Sequence, residues 1–540
     1  RRRGSSSGCS PWRVLIRRPS SRHFLAMGSG ASKGLCTAIA ATGDEELKDL
    51  MLALPEAERN KLLSSIVKAK APPPPKKSAE PVKVFAVPPS QNAVGPVMLA
   101  MDSGAGAMEF IDLQSGAQLK PEFLALNPYH HVPTLQDGDF LMGEGTAILR
   151  YLAIKFKPEY YPVSDPTTCG RIDYAMDTFS NEVYSKHTSV VYPVMGFSAP
   201  PEDKEAAAKA YGDAIDTWTK HFLQGKFVCG DKLSIADFKV VPFFFAAMQP
   251  ACVKLSGFKP SDRTRVYVDD FCAAVAACGF MKESGGFAIA EFMASKAPDA
   301  EKLDAPAAAT YGAPPEVKAE GKVKILGMPP SQGVAGAAML AMDAGAGEME
   351  MCDLMSGAHK TPEFLAMNPW HHVPTLKDGT FAMGESCAVL RYVALKYKPE
   401  YYPVADPASC GKIDFAMDSF GSEVYKKHVD VVYVTMGFSG PPADQDAANK
   451  AYTEALDVWA TLFLKGKFVT GDKVSIADFK AVPFLFAAMQ PGVEKKTGFK
   501  VADRIKTYCE DFMAAVPSST FLKEAGGFSI AEMIAKKAEE

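Results

Sequence analysis

Asn127-Pro128-Tyr129-His130-His131-Val132-Pro133-Thr134-Leu135-Gln136-Asp137-Gly138 is followed closely by Gly143-Glu144 and by Ala147-Ile148-Leu149-Arg150-Tyr151-Leu152-Ala153. The string returns, lightly edited, as Asn368 to Gly379, Gly384-Glu385-Ser386 and Ala388 to Ala394, each residue 241 positions later. Ser90-Gln91 recurs as Ser331-Gln332 and Asp237 as Asp478 at the same interval. Between positions 120 and 162, 31 of 43 residues equal their partners, so the chain is a duplication of one domain-sized unit and not a solenoid of short repeats.

Within each copy the hydrophobic pattern changes character once. Val82 to Val87 reads as a strand, then comes a helix, and Met108 to Leu113 reads as a second strand, parallel to the first because a crossover separates them. A short helix at Pro121 to Leu126, a turn at Asp137-Gly138, a hairpin strand at Phe140 to Met142 and a helix from Glu144 to Lys157 follow. Beyond Tyr160-Tyr161-Pro162 the pattern is helical only. The fold class is therefore α/β plus all-α, twice over. The divisions are a leader at 1–43, a helical hairpin at 44–70, a Pro-rich linker at 71–81, an α/β subdomain at 82–163, a helical subdomain at 164–296, a mobile linker at 297–321, and the second pair at 322–404 and 405–540.

Charge and composition narrow the function classes. Fifty-nine basic residues against 63 acidic ones leave a net charge of −4, which offers no general attraction for nucleic acid or anionic lipid. The 11 cysteines are scattered with no zinc-type spacing, which suits a reducing, cytoplasmic setting. No apolar run approaches the roughly 20 residues of a membrane-spanning helix. The leader has no acid before Asp44, and residues 1–26 are rich in Arg and Ser. Three readings of it stay open: an organelle-targeting segment, a start at Met27 that exposes Gly28 for N-myristoylation with Cys36 as a second lipid site, or plain leader.

The repeated motifs resemble the cytosolic glutathione transferase superfamily over nearly the whole of both copies, the second copy more fully because it keeps the Glu385-Ser386 pair. The Ser-Gln after the first strand and the Tyr-Tyr-Pro-Val-x-Asp-Pro join are most similar to the serine-type, theta and delta classes. The resemblance implies a thioredoxin-like subdomain before each helical one, glutathione as co-substrate and no metal. It implies a small electrophile or peroxide as the second substrate; contact with a membrane is expected only if Gly28 carries a lipid. It also implies pairing of two units, either as an internal pseudo-dimer or between chains.

Carried onto this sequence, the catalytic serines are Ser331 and Ser90. A free thiol of pKa about 8.5 must drop about 1.5 units to be half ionised near neutrality, a stabilisation of about 2 kcal/mol and the size of one charge-assisted hydrogen bond. By themselves these serines read equally as helix caps. The resemblance places glutathione against His359, His371, Val373, Pro374, Glu385 and Ser386. In the first copy the counterparts are Gln118, His130, Val132, Pro133 and Glu144. A cis bond before Pro133 and Pro374 would leave the valine backbone free for the tripeptide. Glu144 and Glu385 are placed to receive its ammonium, though acids at helix starts are also ordinary caps. The tandem histidines lack a spaced third ligand for a metal. Gln118 for His359 and Gly145 for Ser386 weaken the first copy by about 1–3 kcal/mol, so most activity is expected from the second.

The helix holding Tyr184, His187, Val191 and Met195, with Tyr425, His428, Val432 and Met436, is either acceptor pocket or core. Ser234 with Asp237, and Ser475 with Asp478, form a capping pattern, while Trp218 and Trp459 read as core. Cys387 is either a low-pKa thiol at a helix start or a small packed residue. Two other functions stay open, a non-catalytic scaffold that kept the fold and a glutathione-dependent organic hydroperoxide reductase.

Overall fold

The computed structural model describes residues 80–309, 311, 317–319 and 321–539; the leader with Gly28 and Cys36, the hairpin at 44–70 and residues 71–79 of the Pro-rich linker lie outside the described residues. All described residues fall within one unit, Lys76–Glu540.

Val82–Ala86 (β1) is a central strand with three of its five side chains apolar and fully enclosed. It pairs in parallel with Gly106–Phe110 (β2) and antiparallel with Thr134–Asp137 (β3), which pairs antiparallel with Phe140–Met142 (β4), giving the order β2-β1-β3-β4. The helix Gln91–Asp102 (α1) supplies the crossover that a parallel pair requires. The sequence pattern placed β2 at 108–113, but the strand begins two residues earlier and ends at Phe110. Gly106 faces Val82 so closely that a Cβ would sit 1.8 Å from the Val82 carbonyl oxygen, so glycine starts the ladder there. Gly347 meets Val323 at the same 1.8 Å.

Helices α2 (Gly145–Phe156), α3 (Pro166–Thr178), α4 (Tyr184–Met195), α5 (Lys204–Phe222), α6 (Ile235–Ala247) and α7 (Asp262–Ala274) follow. All of α6 is buried, which suits its nearly unbroken apolar sequence. Its capping box holds as expected. Asp237 accepts from the Ser234 N–H at 2.8 Å and Oγ at 2.9 Å, the Val228 N–H at 3.1 Å and the Tyr267 hydroxyl at 2.8 Å. Trp218 is fully buried and donates to the Ala175 carbonyl.

The second copy repeats the plan. Strands β5 (Val323–Gly327), β6 (Gly347–Met351), β7 (Thr375–Asp378) and β8 (Phe381–Met383) take the order β6-β5-β7-β8. Helices α8 (Gln332–Asp343), α9 (Ser386–Tyr397), α10 (Pro407–Ser419), α11 (Gln445–Phe463), α12 (Ile476–Ala488) and α13 (Asp503–Ala515) match α1, α2, α3, α5, α6 and α7. The counterpart of α4 is broken by a π-turn at Val429–Tyr433.

The copies pack α3 on α9 and α10 on α2. Arg150 and Arg391, both 0% exposed, lie at the centre of this contact. Arg150 bonds Asp173 at 2.8 Å and Asp177 at 3.3 Å in its own copy and Asp418 at 3.3 Å in the other. Arg391 answers with Asp414 at 2.7 Å, Asp418 at 3.0 Å and Asp177 at 3.5 Å. Tyr161 and Tyr402, the second tyrosines of the Tyr-Tyr-Pro joins, donate to Asp173 and Asp414 at 2.7 Å each. Gly170 lies against Tyr392 and Phe381, and Gly411 against Phe140 and Tyr151. Aromatic packing is less symmetric, with Tyr129 edge-on to Phe415 and Trp370 stacked on Phe222.

In the connector, the Tyr311 hydroxyl donates to Asp270, and Lys318 exchanges backbone and side-chain hydrogen bonds with Thr380. Cys272 and Cys278 form a disulfide beside the end of α7, a pairing the scattered cysteine spacing did not suggest. Among the described residues no single helix is long and apolar enough to cross a membrane; the bent pair Ile235–Ala247 and Pro250–Ser256 meets the length and composition test, but α6 is core.

Candidate functional site

Each site is assembled from three stretches of one copy and one turn of the other. Ser90 and Ser331 are the N-cap residues of α1 and α8, half-buried, and neither side chain makes a capping hydrogen bond. An N-cap hydroxyl ordinarily accepts from the first turn of its helix. Here it makes no such bond and lies beside the positive end of the helix dipole.

Tight packing brings the start of that helix to the other two motifs. A Cβ on Gly333, two residues after Ser331, would touch Ser386 Cβ at 3.4 Å and Pro374 Cδ at 3.6 Å. In the first copy a Cβ on Gly145 would sit 2.7 Å from the Asn92 carbonyl oxygen and 3.5 Å from Pro133. The Val132–Pro133 and Val373–Pro374 bonds are cis. Both valines lie outside the strand register, and no described residue hydrogen-bonds their N–H or C=O.

Glu144 and Glu385 stand at the N-caps of α2 and α9 with φ of 65° and 66°, in the left-handed region where non-glycine residues are uncommon. Neither caps its own helix. Each carboxylate instead receives a bond from the opposite copy: Ser422 donates to Glu144 at 2.7 Å and Asn181 to Glu385 at 2.6 Å. Burial, reinforced by neighbouring acids, pushes both carboxyls up to about 7.

Asn181 and Ser422 sit on π-turns, Phe179–Val183 and Phe420–Val424, which interrupt otherwise regular helices and re-aim these side chains. The next residues reach across as well. Glu423 meets His131 Nδ1 at 3.3 Å, and Glu182 meets His372 Nδ1 at 3.2 Å. The second histidine of each tandem pair thus faces a carboxylate of the other copy. The first, His130 or His371, has φ of 47° or 48°. His371 lies 5.8 Å, ring to ring, from His359. Gln118 Oε1 and His359 Nδ1 occupy matching positions and are both enclosed without a partner among the described residues. Burial and nearby cations hold the His359 imidazole below its usual range.

The open alternatives resolve mostly toward core. His187, Val191 and Met195 are core, with His187 bonded through Nδ1 to the Tyr211 hydroxyl, and the same is true of His428 with Tyr452. Tyr184 is half-buried, and its hydroxyl accepts from Asn92 at 3.3 Å. Cys387 is not an activated thiol, because burial pushes it up in spite of the nearby Lys480 ammonium. The sequence reading also passed over Lys239 and Lys480. Lys239 donates to Asn92 Oδ1 at 3.3 Å and Lys480 to the Ser386 hydroxyl at 3.2 Å. Their visible mark was a lone cation in an apolar run, Ile235-Ala236-Asp237-Phe238-Lys239-Val240-Val241. Among the described residues no group of three or more His, Cys, Asp or Glu is placed to hold a metal ion.

Comparison with known proteins adds relationship to this geometry. Residues 80–154 match the family described as "Glutathione S-transferase, N-terminal domain". "Glutathione S-transferase 3" of Zea mays is 27% identical over 187 residues, covering 32% of this chain and 83% of the maize protein. "Glutathione S-transferase theta-1" of Bos taurus is 29% identical over 182 residues, 32% of this chain and 75% of the bovine one. Among solved structures, a delta-class glutathione transferase of Nilaparvata lugens is 26% identical, with a TM-score of 0.34, covering 40% of this chain and 100% of its own. Over residues 80–154 and the stretches these relatives cover, the chain is similar in sequence to glutathione S-transferases.

Proposed function

We propose that the chain is a glutathione S-transferase in which the Ser331 hydroxyl, and Ser90 in the first copy, hold the glutathione sulfur as a thiolate for attack on a small electrophile. The convergence of an uncapped serine, the unpaired valine backbone and a buried glutamate around one helix start carries this reading. A hydroxyl donating to sulfur at the positive end of α8 supplies the roughly 2 kcal/mol that ionisation near neutrality needs. The Val373 N–H and C=O are free to pair with the cysteinyl backbone, and Glu385 receives the γ-glutamyl ammonium. His371 and His359 lie toward the glycyl end.

The acceptor enters beside Tyr184 or its counterpart Tyr425. The sulfur lone pair forms the new bond to carbon, a halide or comparable group leaves with its electron pair, and the thiol proton has already passed to solvent. Most turnover belongs to the second copy, which retains His359 and Ser386. The two copies act as an internal pseudo-dimer, since each glutamate's hydrogen-bond partner belongs to the other copy. Gln118 and Gly145 favour a binding-only first copy as a second reading.

Retention on immobilised glutathione, followed by assays with an aryl halide and with cumene hydroperoxide, tests the proposal. Retention with conjugation supports it. Retention with peroxide reduction alone points to a reductase, retention with neither activity to a scaffold, and no retention removes the reading altogether.

A further inference from the structure

Among the described residues, Lys239 and Lys480 are cations without counter-ions. Lys239 is only 8% exposed, on a helix whose other residues are all buried. Its one hydrogen bond goes to a neutral amide, its ammonium lies 5.3 Å from the Phe243 ring centroid, and no described carboxylate comes within ion-pair distance. Lys480 is half-buried and repeats the partners, a neutral hydroxyl and the Phe484 ring at 5.0 Å. A lysine as enclosed as Lys239 is normally paired, because an unpaired ammonium away from water is costly. Burial, with the Arg150 cation adding to it, pulls the Lys239 ammonium down to about 8 against the acids Glu144, Asp418 and Asp177, which stand beyond contact.

The position is fixed by backbone packing and not by the flexible side chain. A Cβ on Gly95 would sit 2.3 Å from the Phe238 carbonyl oxygen, and one on Gly336 would sit 2.3 Å from that of Phe479. This seats α1 directly on α6, and α8 on α12, one residue before each lysine. The ammonium of Lys480 then points at Ser386, the first residue of α9, whose opening N–H groups have no helical partner. Glu385, the residue before, is where the proposed reading seats the substrate ammonium.

We infer that Lys480 and Lys239 are binding residues for the α-carboxylate of the γ-glutamyl head, so that each site grips that group as a zwitterion between a glutamate and a lysine. The inference rests on the transferase reading and adds a specificity determinant to it. It also changes the standing of the first copy. Where the second has Gly333 and Ser386, the first has Asn92 and Gly145, and the lysine keeps a polar neutral partner in each case. Asn92 takes the place of the missing hydroxyl, so the first copy keeps a carboxylate-binding site.

Calorimetric titration of the full chain with S-methylglutathione and with its 4-aminobutyryl analogue, which lacks only the α-carboxylate, tests the inference. The unaltered protein is expected to bind S-methylglutathione at two sites and to prefer it over the analogue by about tenfold to a hundredfold. Lys480→Met and Lys239→Met should each erase that preference at one site while leaving affinity for the analogue unchanged, and Lys480→Arg should keep it. Equal losses for both ligands, or a preserved preference in the double variant, would overturn the inference. Failure of the unaltered protein to bind either ligand would instead defeat the transferase reading beneath it. Unchanged melting and circular dichroism of the Met variants confirm that folding is not the variable.

Discussion

The carboxyl of Glu385, pushed by burial to about 7, makes ligand affinity a function of pH. Under the proposed reading, the substrate ammonium binds it strongly only as the carboxylate. With a free-state pKa near 7, about 3% of the groups are ionised at pH 5.5 and about 75% at pH 7.5, so affinity should rise about 25-fold, or about 1.9 kcal/mol, across that interval. S-Methylglutathione is the right probe, because it has no thiol to titrate in the same range. Calorimetry in two buffers of different ionisation enthalpy would count close to one proton released per site near pH 6 and few above pH 8. Glu385→Gln should flatten the profile at one site only, leaving the Glu144 site to titrate as before. Stability without ligand runs the other way. A carboxyl whose folded pKa is raised favours the folded state fully below its unfolded pKa, and that contribution is lost as pH rises through about 7. Thermal stability should therefore fall between about pH 5 and pH 7 and recover partly in Glu385→Gln. A ligand affinity that is level from pH 5.5 to 7.5 would refute the reasoning.

Replacing Ser331 by Ala should lower conjugation turnover about tenfold to a hundredfold, against a smaller loss for Ser90→Ala, as read from aryl halide assays; equal losses would remove the asymmetry. Gly145→Ser should destabilise the first copy by about 1–3 kcal/mol in urea unfolding, since the new Cβ would sit 2.7 Å from the Asn92 backbone oxygen. Arg391→Met should cost about 3–5 kcal/mol in the same measurement, because Asp414, Asp418 and Asp177 would lose a shared cation at the contact between the copies. Asn181→Ala should weaken S-methylglutathione binding at the Glu385 site alone, which lies 204 residues away in sequence.

The sequence carried the parts of this picture that depend on local chemistry. Strand, crossover and hairpin follow from apolar runs and from Asp137-Gly138, and the capping box at Ser234 and Asp237 is readable from two residues at the right spacing. The start of β2 was not legible, because it depends on how near the Val82 backbone comes to Gly106 and not on β propensity at Met108. The buried role of His187 was equally hidden. Its helical spacing alongside Tyr184 fits a pocket or a core, and only the facing Tyr211 hydroxyl decides between them. Least visible were Asn181, Glu182, Ser422 and Glu423. A π-turn has no compositional mark, and a contact made by the other copy leaves no trace in the neighbouring sequence.

Those cross-copy contacts bear on why the duplication is covalent. Each glutamate is desolvated by the contact between copies and hydrogen-bonded by it, so a copy standing alone would expose Glu385 to water and lose Asn181 together. Its carboxyl would fall back toward the ordinary range and hold an ammonium in high dielectric, where an ion pair is worth about 1 kcal/mol or less. A connector joining the copies sets their effective concentration in the millimolar range, which keeps the contact formed at any protein dilution. Sequence drift in one copy is then tolerated while its π-turn still serves the other. By this argument Gly145 and Gln118 can depart from the pattern in the first copy, but Asn181 and Glu182 cannot without harm to the second site.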